Sequence, residues 1–367
     1  MGIPTYLDSL VFPVCQMKVK NRIALAPMTN QQSHADGRLS SAESEWLLMR
    51  AEGDMGMIIT AGAFVNENGR SWEGQIGIHN TSTRDAFVPF TEKSKALGSL
   101  PILQLFHGGS RALAQNGRLS PSPSGWKNSD NQTIAYAMQG KEITAAIDHF
   151  IAAAVRAKEA GFSGVEIHGA HGYLVHQFLS TKTNLRNDEW GGSSKKRERF
   201  LLEIIRGIRQ RCGHDFLLGV RLSPEDSRWF YGIDFDACVD LSSRLAQDEG
   251  VDYVHISLWD TFKAPDKYPE SEPAISHFRK QIKNGVPLMT AGNIWTSAEA
   301  EIAQGFGADL LALGRVAIAH PDWAAQAKDI NYAPKRPPFT KRHLKNAGLS
   351  PVFIEYMHRW PGFVAAD

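Results

Sequence analysis

Cysteine is scarce in this sequence, and its spacing is not that of a metal centre. The 367 residues include only Cys15, Cys212 and Cys238, and no C-x-x-C pair occurs. An iron–sulfur cluster or a zinc ribbon needs closely spaced cysteines, so we expect neither. A chain of this length buries a core that does not need disulfide bonds. Sparse, unpaired cysteines are typical of a reducing compartment, and we therefore expect a cytoplasmic protein.

Excess charge and long apolar runs are also missing. The 40 Lys and Arg residues balance 39 Asp and Glu residues, which leaves a formal net charge of +1. Such a balance gives no field that would attract nucleic acid or a membrane surface. No apolar run approaches the roughly 20 residues that span a bilayer, and the first ten residues lack the pattern of a signal peptide. We therefore expect no nucleic-acid partner and no membrane association.

The chain does contain a repeated helix-to-strand pattern. In each copy a polar, Ala-rich run is followed by a glycine and then by a short apolar run rich in β-branched residues. The clearest copies contain Gly53, Gly161, Gly250 and Gly307, and looser copies contain Gly98, Gly213 and Gly285. A glycine that ends a helix commonly adopts the left-handed conformation, so we expect that conformation at these positions.

The pattern predicts alternating strands and helices. The predicted strands are Arg22–Met28, Met57–Val65, Ile102–His107, Gly164–Gly169, Leu217–Leu222, Tyr253–Leu258, Leu288–Asn293 and Leu310–Gly314. Between them lie helical stretches such as Ser41–Glu52, Thr144–Ala160, Lys196–Cys212 and Thr296–Gln304. Alternation of this kind indicates a parallel sheet with right-handed crossovers. Eight such units favour an α/β fold, a closed (β/α)8 TIM barrel, over a doubly wound sheet, whose G-x-G-x-x-G is missing after the first strand.

No linker or low-complexity stretch divides the sequence, so we expect one domain over residues 1–367. Residues 1–20 are expected to cap the barrel floor, with a hairpin over 11–22, and residues 324–367 form a C-terminal extension. Long segments follow the third and fourth strands, at 108–141 and 172–194, where barrels build active sites. The aromatic stretch 356–363 suits three roles: covering a cofactor, packing against a second subunit, or capping the barrel shell.

The densest polar cluster lies at the end of the predicted fourth strand, where His168, His171 and Tyr173 leave the barrel. Imidazole N–H groups there can stabilise negative charge that develops on a carbonyl oxygen. A phenol stays protonated at neutral pH and can donate its proton. Histidines bonded only to backbone are the structural alternative. A zinc site needs three or four ligands, and two histidines do not supply them, so we expect no metal.

Other strand ends carry further polar or flexible residues. They are Pro27, Met28 and Thr29 in strand one, Gln104 and Phe106 in strand three, Arg221 in strand five, Gly292 and Asn293 in strand seven, and Gly314 and Arg315 in strand eight. The loops after strands seven and eight are the usual phosphate cradle of such barrels. We therefore expect a phosphate-bearing cofactor or substrate. Gln104 and Arg221 also suit a purely structural role, in which they tie layers of the barrel together.

Several segments resemble the Old Yellow Enzyme family of NADH:flavin oxidoreductases and ene-reductases, over about Asn21 to Trp323. They are His168-Gly-Ala-His171-Gly-Tyr173-Leu-Val-His-Gln-Phe-Leu-Ser180, Asn184-Leu-Arg-Asn-Asp-Glu-Trp-Gly-Gly-Ser193, Arg197-x-Arg199-Phe200, Asn21-Arg-Ile-Ala-Leu-Ala-Pro-Met-Thr29 and Gln104-Leu-x-His107-x-Gly109-x-x-Ala112. The resemblance implies a barrel that binds FMN, takes hydride from NAD(P)H and reduces the activated C=C bond of α,β-unsaturated carbonyl compounds. Some members also reduce nitro compounds. It also favours a homo-oligomer.

The resemblance implies a role for each residue that matches a family position. His168 and His171 would hold the substrate oxygen, Tyr173 would donate the proton, and Phe106 would shape substrate choice. The FMN contacts would be Pro27, Met28, Thr29, Gly62, Gln104, His168, Arg221, Gly292, Asn293, Gly314 and Arg315. Among these, Thr29 lies beside O4 and N5, Gln104 beside the pyrimidine ring, Arg221 beside N1 and O2, and Gly314 and Arg315 at the phosphate. Arg221 would favour the anionic reduced flavin.

The sequence departs from the family pattern in places. Thr60-Ala61-Gly62-Ala63 stands where Thr-Glu-Ala is common, so Gly62 offers only backbone, and Trp190 stands where Tyr is common. About 50 residues follow the last strand, so we expect no iron–sulfur or second nucleotide domain and direct reduction by nicotinamide. Two alternatives remain. A flavin-free aldolase or isomerase on a sugar phosphate would need a Schiff-base Lys or a carboxylate base, and neither Lys182 nor Glu166 is well placed. A binding protein built on a barrel shell is the other.

Overall fold

The computed structural model describes residues 5–114, 117–224, 233–283 and 285–366. The strands are β1 (Leu10–Val11), β2 (Lys18–Val19), β3 (Ile23–Leu25), β4 (Met57–Phe64), β5 (Leu100–Phe106), β6 (Ser120–Ser122), β7 (Trp126–Lys127), β8 (Thr133–Ala137), β9 (Gly164–Gly169), β10 (Leu217–Leu222), β11 (Tyr253–Ser257), β12 (Leu288–Ala291) and β13 (Leu310–Leu313). The helices are α1 (Ser41–Glu52), α2 (Thr81–Asp85), α3 (Val88–Ala96), α4 (Gly140–Glu159), α5 (Leu174–Leu179), α6 (Ser194–Cys212), α7 (Phe235–Asp248), α8 (Ala274–Gln281), α9 (Ser297–Gly305), α10 (Arg315–Ala319), α11 (Trp323–Gln326), α12 (Lys341–Asn346) and α13 (Pro351–Met357).

Eight strands close a parallel barrel in the order β3-β4-β5-β9-β10-β11-β12-β13, which confirms the predicted TIM barrel. The predicted bounds of β9 and β10 coincide with the observed ones. Strand β3 is shorter than predicted because Pro27 has no N–H to donate to the ladder, and β12 ends at Ala291 because Gly292 has φ +152°. Helix α4 begins at Gly140 rather than Thr144, since Gln139 and Glu142 form a capping box there.

The predicted left-handed glycines are present with one exception. Gly161, Gly250 and Gly307 have φ values of +85°, +65° and +104°, and the three looser positions are also left-handed. The prediction for Gly53 was wrong: its φ is −73°, and the next residue, Asp54, takes the left-handed conformation with φ +74°. Gly53 is needed for another reason, because a Cβ atom there would collide with the carbonyl oxygen of Pro321.

Alternation along the strands separates two cores. Outward residues such as Val165 and Ile167 belong to the large core beneath the surrounding helices. Inward residues near the amino ends of the strands form an apolar floor cluster, which includes Phe12, Met57, Ile59, Ile102, Leu217, Tyr253, Met289 and Leu310. Further along β9, the inward residues are Glu166 and His168, because side chains point to opposite faces in turn. The barrel interior therefore changes from apolar to polar towards its carboxyl end.

An N-terminal hairpin lies at the apolar end. Strands β1 and β2 pair antiparallel, with Leu10 opposite Val19. Phe12, directly after β1, is fully buried in the floor cluster, and its ring centroid is 6.1 Å from that of Tyr253. The hairpin thus inserts an aromatic side chain into the amino end of the barrel.

Loops at the opposite end carry the remaining elements. The segment after β5 contains the small sheet β6-β8-β7, and the segment after β9 contains α5. The C-terminal helices α12 and α13 contribute buried residues, among them Leu344 and Phe353, to the outer core. Within the described ranges, none of the helices has both the length and the apolar character that crossing a bilayer requires.

We expect Phe12→Ala to lower the free energy of unfolding by about 3–5 kcal/mol, because it removes an aromatic ring from a closed cavity. Val11→Ala is the matched control: the neighbouring side chain is 52% exposed, so its truncation should cost under about 0.5 kcal/mol. Urea unfolding of both variants measures the difference. Equal effects of the two substitutions would show that Phe12 does not support the floor.

Helix α5 buries a histidine without partners. Both ring nitrogens of His176 lack hydrogen bonds within the described structure, and burial together with Arg111 lowers its pKa to about 3. In the unfolded chain the His176 imidazole binds a proton below about pH 6.5, whereas in the folded protein it stays neutral. The folded state is therefore destabilised as the pH falls below about 6.5. His176→Leu should therefore reduce the stability loss between pH 7 and pH 5 by about 2 kcal/mol.

The measurement is urea unfolding at both pH values. His214→Leu, which replaces an exposed histidine, is measured alongside as the control. A His176→Leu variant with the wild-type pH dependence would contradict the assignment.

Candidate active site

The carboxyl ends of β5, β9, β10 and β11 place one inward side chain each at the mouth of the barrel. Arg221 in β10 is in register with His168 in β9 and with His255 in β11. Phe106 ends β5, and its ring centroid is 5.7 Å from that of His168. The structure therefore brings together three predicted site residues that are far apart in sequence, Phe106, His168 and Arg221, and adds His255, which was not predicted.

His168, His171 and Tyr173 form a compact group beside Phe106. The ring centroid of His168 is 5.1 Å from that of His171 and 5.0 Å from that of Tyr173. The Tyr173 ring lies edge-on to Phe106 at 4.4 Å. Three polar side chains thus surround one point at the mouth, with an aromatic wall on one side.

Both histidines are neutral at physiological pH. Burial, with Arg221 as the next cause, lowers the pKa of each well below its ordinary value. The Nδ1 atom of His168 accepts a hydrogen bond from the Ala170 N–H at 3.2 Å, which assigns the ring proton to Nε2. His168 is therefore a neutral hydrogen-bond donor.

A serine that the sequence analysis missed orients the second histidine. His171 has a left-handed backbone (φ +57°), and its Nε2 lies 2.8 Å from the Ser257 Oγ. The same Oγ accepts a hydrogen bond from Arg221 Nη2 at 2.9 Å. The register of β11 supplied the signal, since Ser257 lies two residues after the inward His255 and so faces inward as well.

A missed arginine lies over the phenol. The guanidinium carbon of Arg111 is 4.5 Å from the ring centre of Tyr173, and Arg111 Nη1 donates to the His171 carbonyl at 2.5 Å. Tyr173 is the N-cap residue of α5, so its position is set by the first turn of that helix. A cation at this distance stabilises negative charge on the phenol oxygen.

The residues predicted to contact a flavin ring offer a suitable donor. Arg221 is buried and its Nη1 donates to the Pro27 carbonyl at 3.3 Å, but its Nε has no hydrogen-bond partner among the described residues. Buried donors are rarely left unpaired, so this N–H fits an acceptor edge such as N1 and O2 of a flavin. The Thr29 side chain contacts Tyr356 of the C-terminal extension.

Gly62 lies at a break in the β4–β5 ladder. The register shifts between Ile59 and Gly62, and a Cβ atom at Gly62 would come within 2.9 Å of Phe106. Its carbonyl accepts a hydrogen bond from Gln75 Nε2 at 2.8 Å. Glycine is therefore required for packing against Phe106, and its contact with the cofactor stays a prediction.

The ends of β12 and β13 form the predicted phosphate cradle. Gly314 precedes α10, and a Cβ atom there would meet only Met28 Sδ, at 3.7 Å, so the backbone faces open space. Arg315 Nη2 donates to Asn293 Oδ1 at 3.4 Å, and Asn293 is left-handed with φ +58°. Gly292 lies directly before Asn293. A helix start beside a guanidinium and open backbone fits a phosphate group.

The C-terminal extension reaches the same mouth. Besides the contact between Tyr356 and Thr29, the ring of Trp360 is 6.2 Å from that of Trp259, which follows β11. Arg315 lies 5.5 Å from the Trp259 ring. Of the three roles suggested by the sequence for this aromatic stretch, a cover near the cofactor site is the one these contacts favour.

Comparison with known proteins identifies the group to which this geometry belongs. Residues 12–332 match the NADH:flavin oxidoreductase / NADH oxidase family. The chain is 36% identical to the probable NADH-dependent flavin oxidoreductase YqiG of Bacillus subtilis over 85% of this chain and 84% of that protein. It is 34% identical to a NADPH dehydrogenase of the same species, over 86% of this chain and 92% of that protein.

Two further curated relatives are longer, and the chain spans only about a third of each. Among solved structures, morphinone reductase is 26% identical and superposes with a TM-score of 0.79 over 92% of both chains. The chain therefore belongs to the NADH:flavin oxidoreductase / NADH oxidase family, a group of Old Yellow Enzyme barrels that bind FMN and use NAD(P)H as reductant.

Proposed function

We propose that this protein reduces the activated C=C bond of α,β-unsaturated carbonyl compounds, or of related nitro compounds. The observation that carries the proposal is the convergence of His168, His171 and Tyr173 at the mouth. The ring centroids of His171 and Tyr173 lie 5.1 Å and 5.0 Å from that of His168. Pro27, Met28, Thr29, Gln104 and Arg221 would hold the flavin ring, and Gly292, Asn293, Gly314 and Arg315 the phosphate. Bound FMN supplies hydride that it has received from NAD(P)H.

The substrate oxygen is held by neutral imidazoles. The Nε2–H of His168 donates towards the mouth, because its Nδ1 is occupied by the Ala170 N–H. Ser257 sets the ring orientation of His171 at 2.8 Å; His168 is buried and His171 is partly buried. In a site shielded from water, such donors favour the negative charge that builds up on a conjugated oxygen. They thereby make the β-carbon more electrophilic.

Tyr173 completes the reduction as proton donor. Hydride arrives at the β-carbon, the Tyr173 hydroxyl transfers its proton to the α-carbon, and solvent returns a proton to the phenolate. Arg111 lies over the ring at 4.5 Å and compensates the charge that the oxygen carries in between. Phe106, in edge contact with Tyr173, limits the space beside the donor and so selects among substrates.

The setting of this chemistry is also part of the proposal. The three cysteines form no disulfide with one another, and burial raises the pKa of two of them, Cys15 and Cys212. Thiols of this kind and a dependence on NAD(P)H support a cytoplasmic enzyme that acts on small electrophilic alkenes.

Tyr173→Phe tests the donor. Since only the proton is removed, we expect alkene reduction to slow by roughly 10²–10⁴-fold while reduction of the bound flavin by NAD(P)H stays near the wild-type rate. Anaerobic stopped-flow absorbance separates the two half-reactions, with 2-cyclohexenone as substrate. An equal loss in both half-reactions would argue against the donor role.

His168→Ala and His171→Ala test the oxygen site. Each removes one donor, so phenol should bind the oxidised holoenzyme about 10- to 100-fold more weakly, as measured by the change in flavin absorbance. His214→Ala, a substitution at an exposed histidine outside the mouth, is the control and should leave phenol affinity unchanged. Wild-type affinity in both site variants would remove their assigned role.

A further inference from the structure

A polar layer lies inside the barrel, between the apolar floor and the mouth. It is formed by Gln104 of β5, Glu166 of β9 and the hydroxyl of Tyr253 of β11, whose ring also packs in the floor cluster, and His255 reaches it from one inward step further along β11. Glu166, Tyr253 and His255 are completely inaccessible to solvent, and Gln104 is almost so. Gln104 pairs with Glu166 in register, so this layer sits one inward step below Phe106 and His168.

Three donors surround the Glu166 carboxylate. Gln104 Nε2 donates to Oε1 at 2.8 Å, while the Tyr253 hydroxyl and His255 Nδ1 donate to Oε2 at 3.1 Å and 2.9 Å. The approach of Tyr253 depends on Gly219 in the intervening strand, because a Cβ atom there would collide with the phenol ring. The local sequence is therefore adapted to keep this carboxylate fully bonded.

The layer carries one negative charge. Burial raises the pKa of Glu166, but the hydrogen bonds from His255 and Gln104 and the charge of Arg221 lower it below its ordinary value, so the carboxylate stays ionised. Burial lowers the pKa of His255 in spite of Glu166, which leaves His255 neutral. Glu166 pairs in register with Gly219, two residues before Arg221 on the adjacent strand β10, so its charge lies one inward step below the guanidinium of Arg221.

The carboxylate also determines how the Gln104 amide is oriented. An ionised carboxylate only accepts hydrogen bonds, so Gln104 must turn its Nε2 towards Glu166. The Oε1 atom is then the one left for a ligand on the open side of the layer. That atom is an acceptor, which is what the N3–H of a flavin pyrimidine requires.

We propose that Glu166 is a positioning residue for FMN. It holds the Gln104 amide with Oε1 towards the pyrimidine ring, and its charge opposes Arg221 beneath that ring, so it weakens binding of reduced FMN relative to oxidised FMN. The inference rests on the proposed placement of the flavin over Gln104 and Arg221.

A purely structural role does not account for this arrangement. A buried carboxylate carries a desolvation cost that well-packed apolar residues avoid, and replacing buried ionic groups with such residues is often stabilising. The floor cluster below it closes the same barrel largely with apolar side chains such as Ile102 and Leu217. The polar layer lies directly below Arg221 and contains Gln104, and both are predicted flavin contacts.

Two substitutions separate the two effects. Glu166→Gln keeps the length of the side chain and removes the charge, so the ratio of the dissociation constants for oxidised and reduced FMN should rise about tenfold. Glu166→Asp keeps the charge and withdraws it from Gln104, so both dissociation constants should rise by about three- to tenfold with an unchanged ratio. Fluorescence titration of the apoprotein gives the dissociation constant of oxidised FMN, and the midpoint potential of the bound flavin gives the ratio of the two constants.

Tyr253→Phe is the matched control, since it removes one hydrogen bond from the same carboxylate without changing the charge or Gln104. It should change the denaturation midpoint but leave the ratio within about twofold of the wild type. A folded Glu166→Gln variant with the wild-type ratio, or a folded Glu166→Asp variant with wild-type affinity, overturns the proposal, and either variant alone suffices. Gln104→Met distinguishes the two levels of failure: if it too leaves FMN affinity unchanged, the proposed placement of the flavin is wrong.

Discussion

The guanidinium of Arg221, buried at the carboxyl end of a closed barrel, is the constraint around which the site is arranged. A buried cation needs compensation, which the Pro27 carbonyl, the Ser257 hydroxyl and the charge of Glu166 provide. The same cation contributes to the low pKa values of His168 and His171 and thus keeps both imidazoles neutral. This charge therefore adds to the effect of burial on both histidines and favours the ionised form of Glu166, and its Nε remains an unpaired donor among the described residues.

The fold was predictable because its signals are local. Each strand is a short apolar run, most strands are preceded by a helix that ends in a glycine, and this alternation specifies a parallel barrel without long-range information. The prediction for Gly53 failed for the opposite reason, since the need for glycine there arises from the carbonyl of Pro321, far away in sequence. Contacts between segments that are distant in sequence produce no periodic pattern from which they could be predicted.

The same distinction separates predicted from missed site residues. His168, Arg221 and Gln104 lie on barrel strands, so the strand pattern located them at the mouth or just below it. Arg111 and Tyr356 come from a loop and from the C-terminal extension, whose paths no repeat pattern determines. Glu166 was considered only as a catalytic base; its register places it below the mouth, where it contacts Gln104 instead of a substrate.

The order of layers along the barrel axis gives these contacts their strength. Phe12 and the floor cluster exclude water from the amino end, so the charges of Glu166 and Arg221 interact in a medium of low polarity. At the other end Tyr356, Trp259 and Trp360 lie around the mouth, with the two Trp rings 53% and 43% exposed. The floor is thus closed to water, while both Trp rings at the rim are open to it. Under the proposed placement of the flavin over Gln104 and Arg221, the fixed charges lie below the ring and the aromatic rim lies above it.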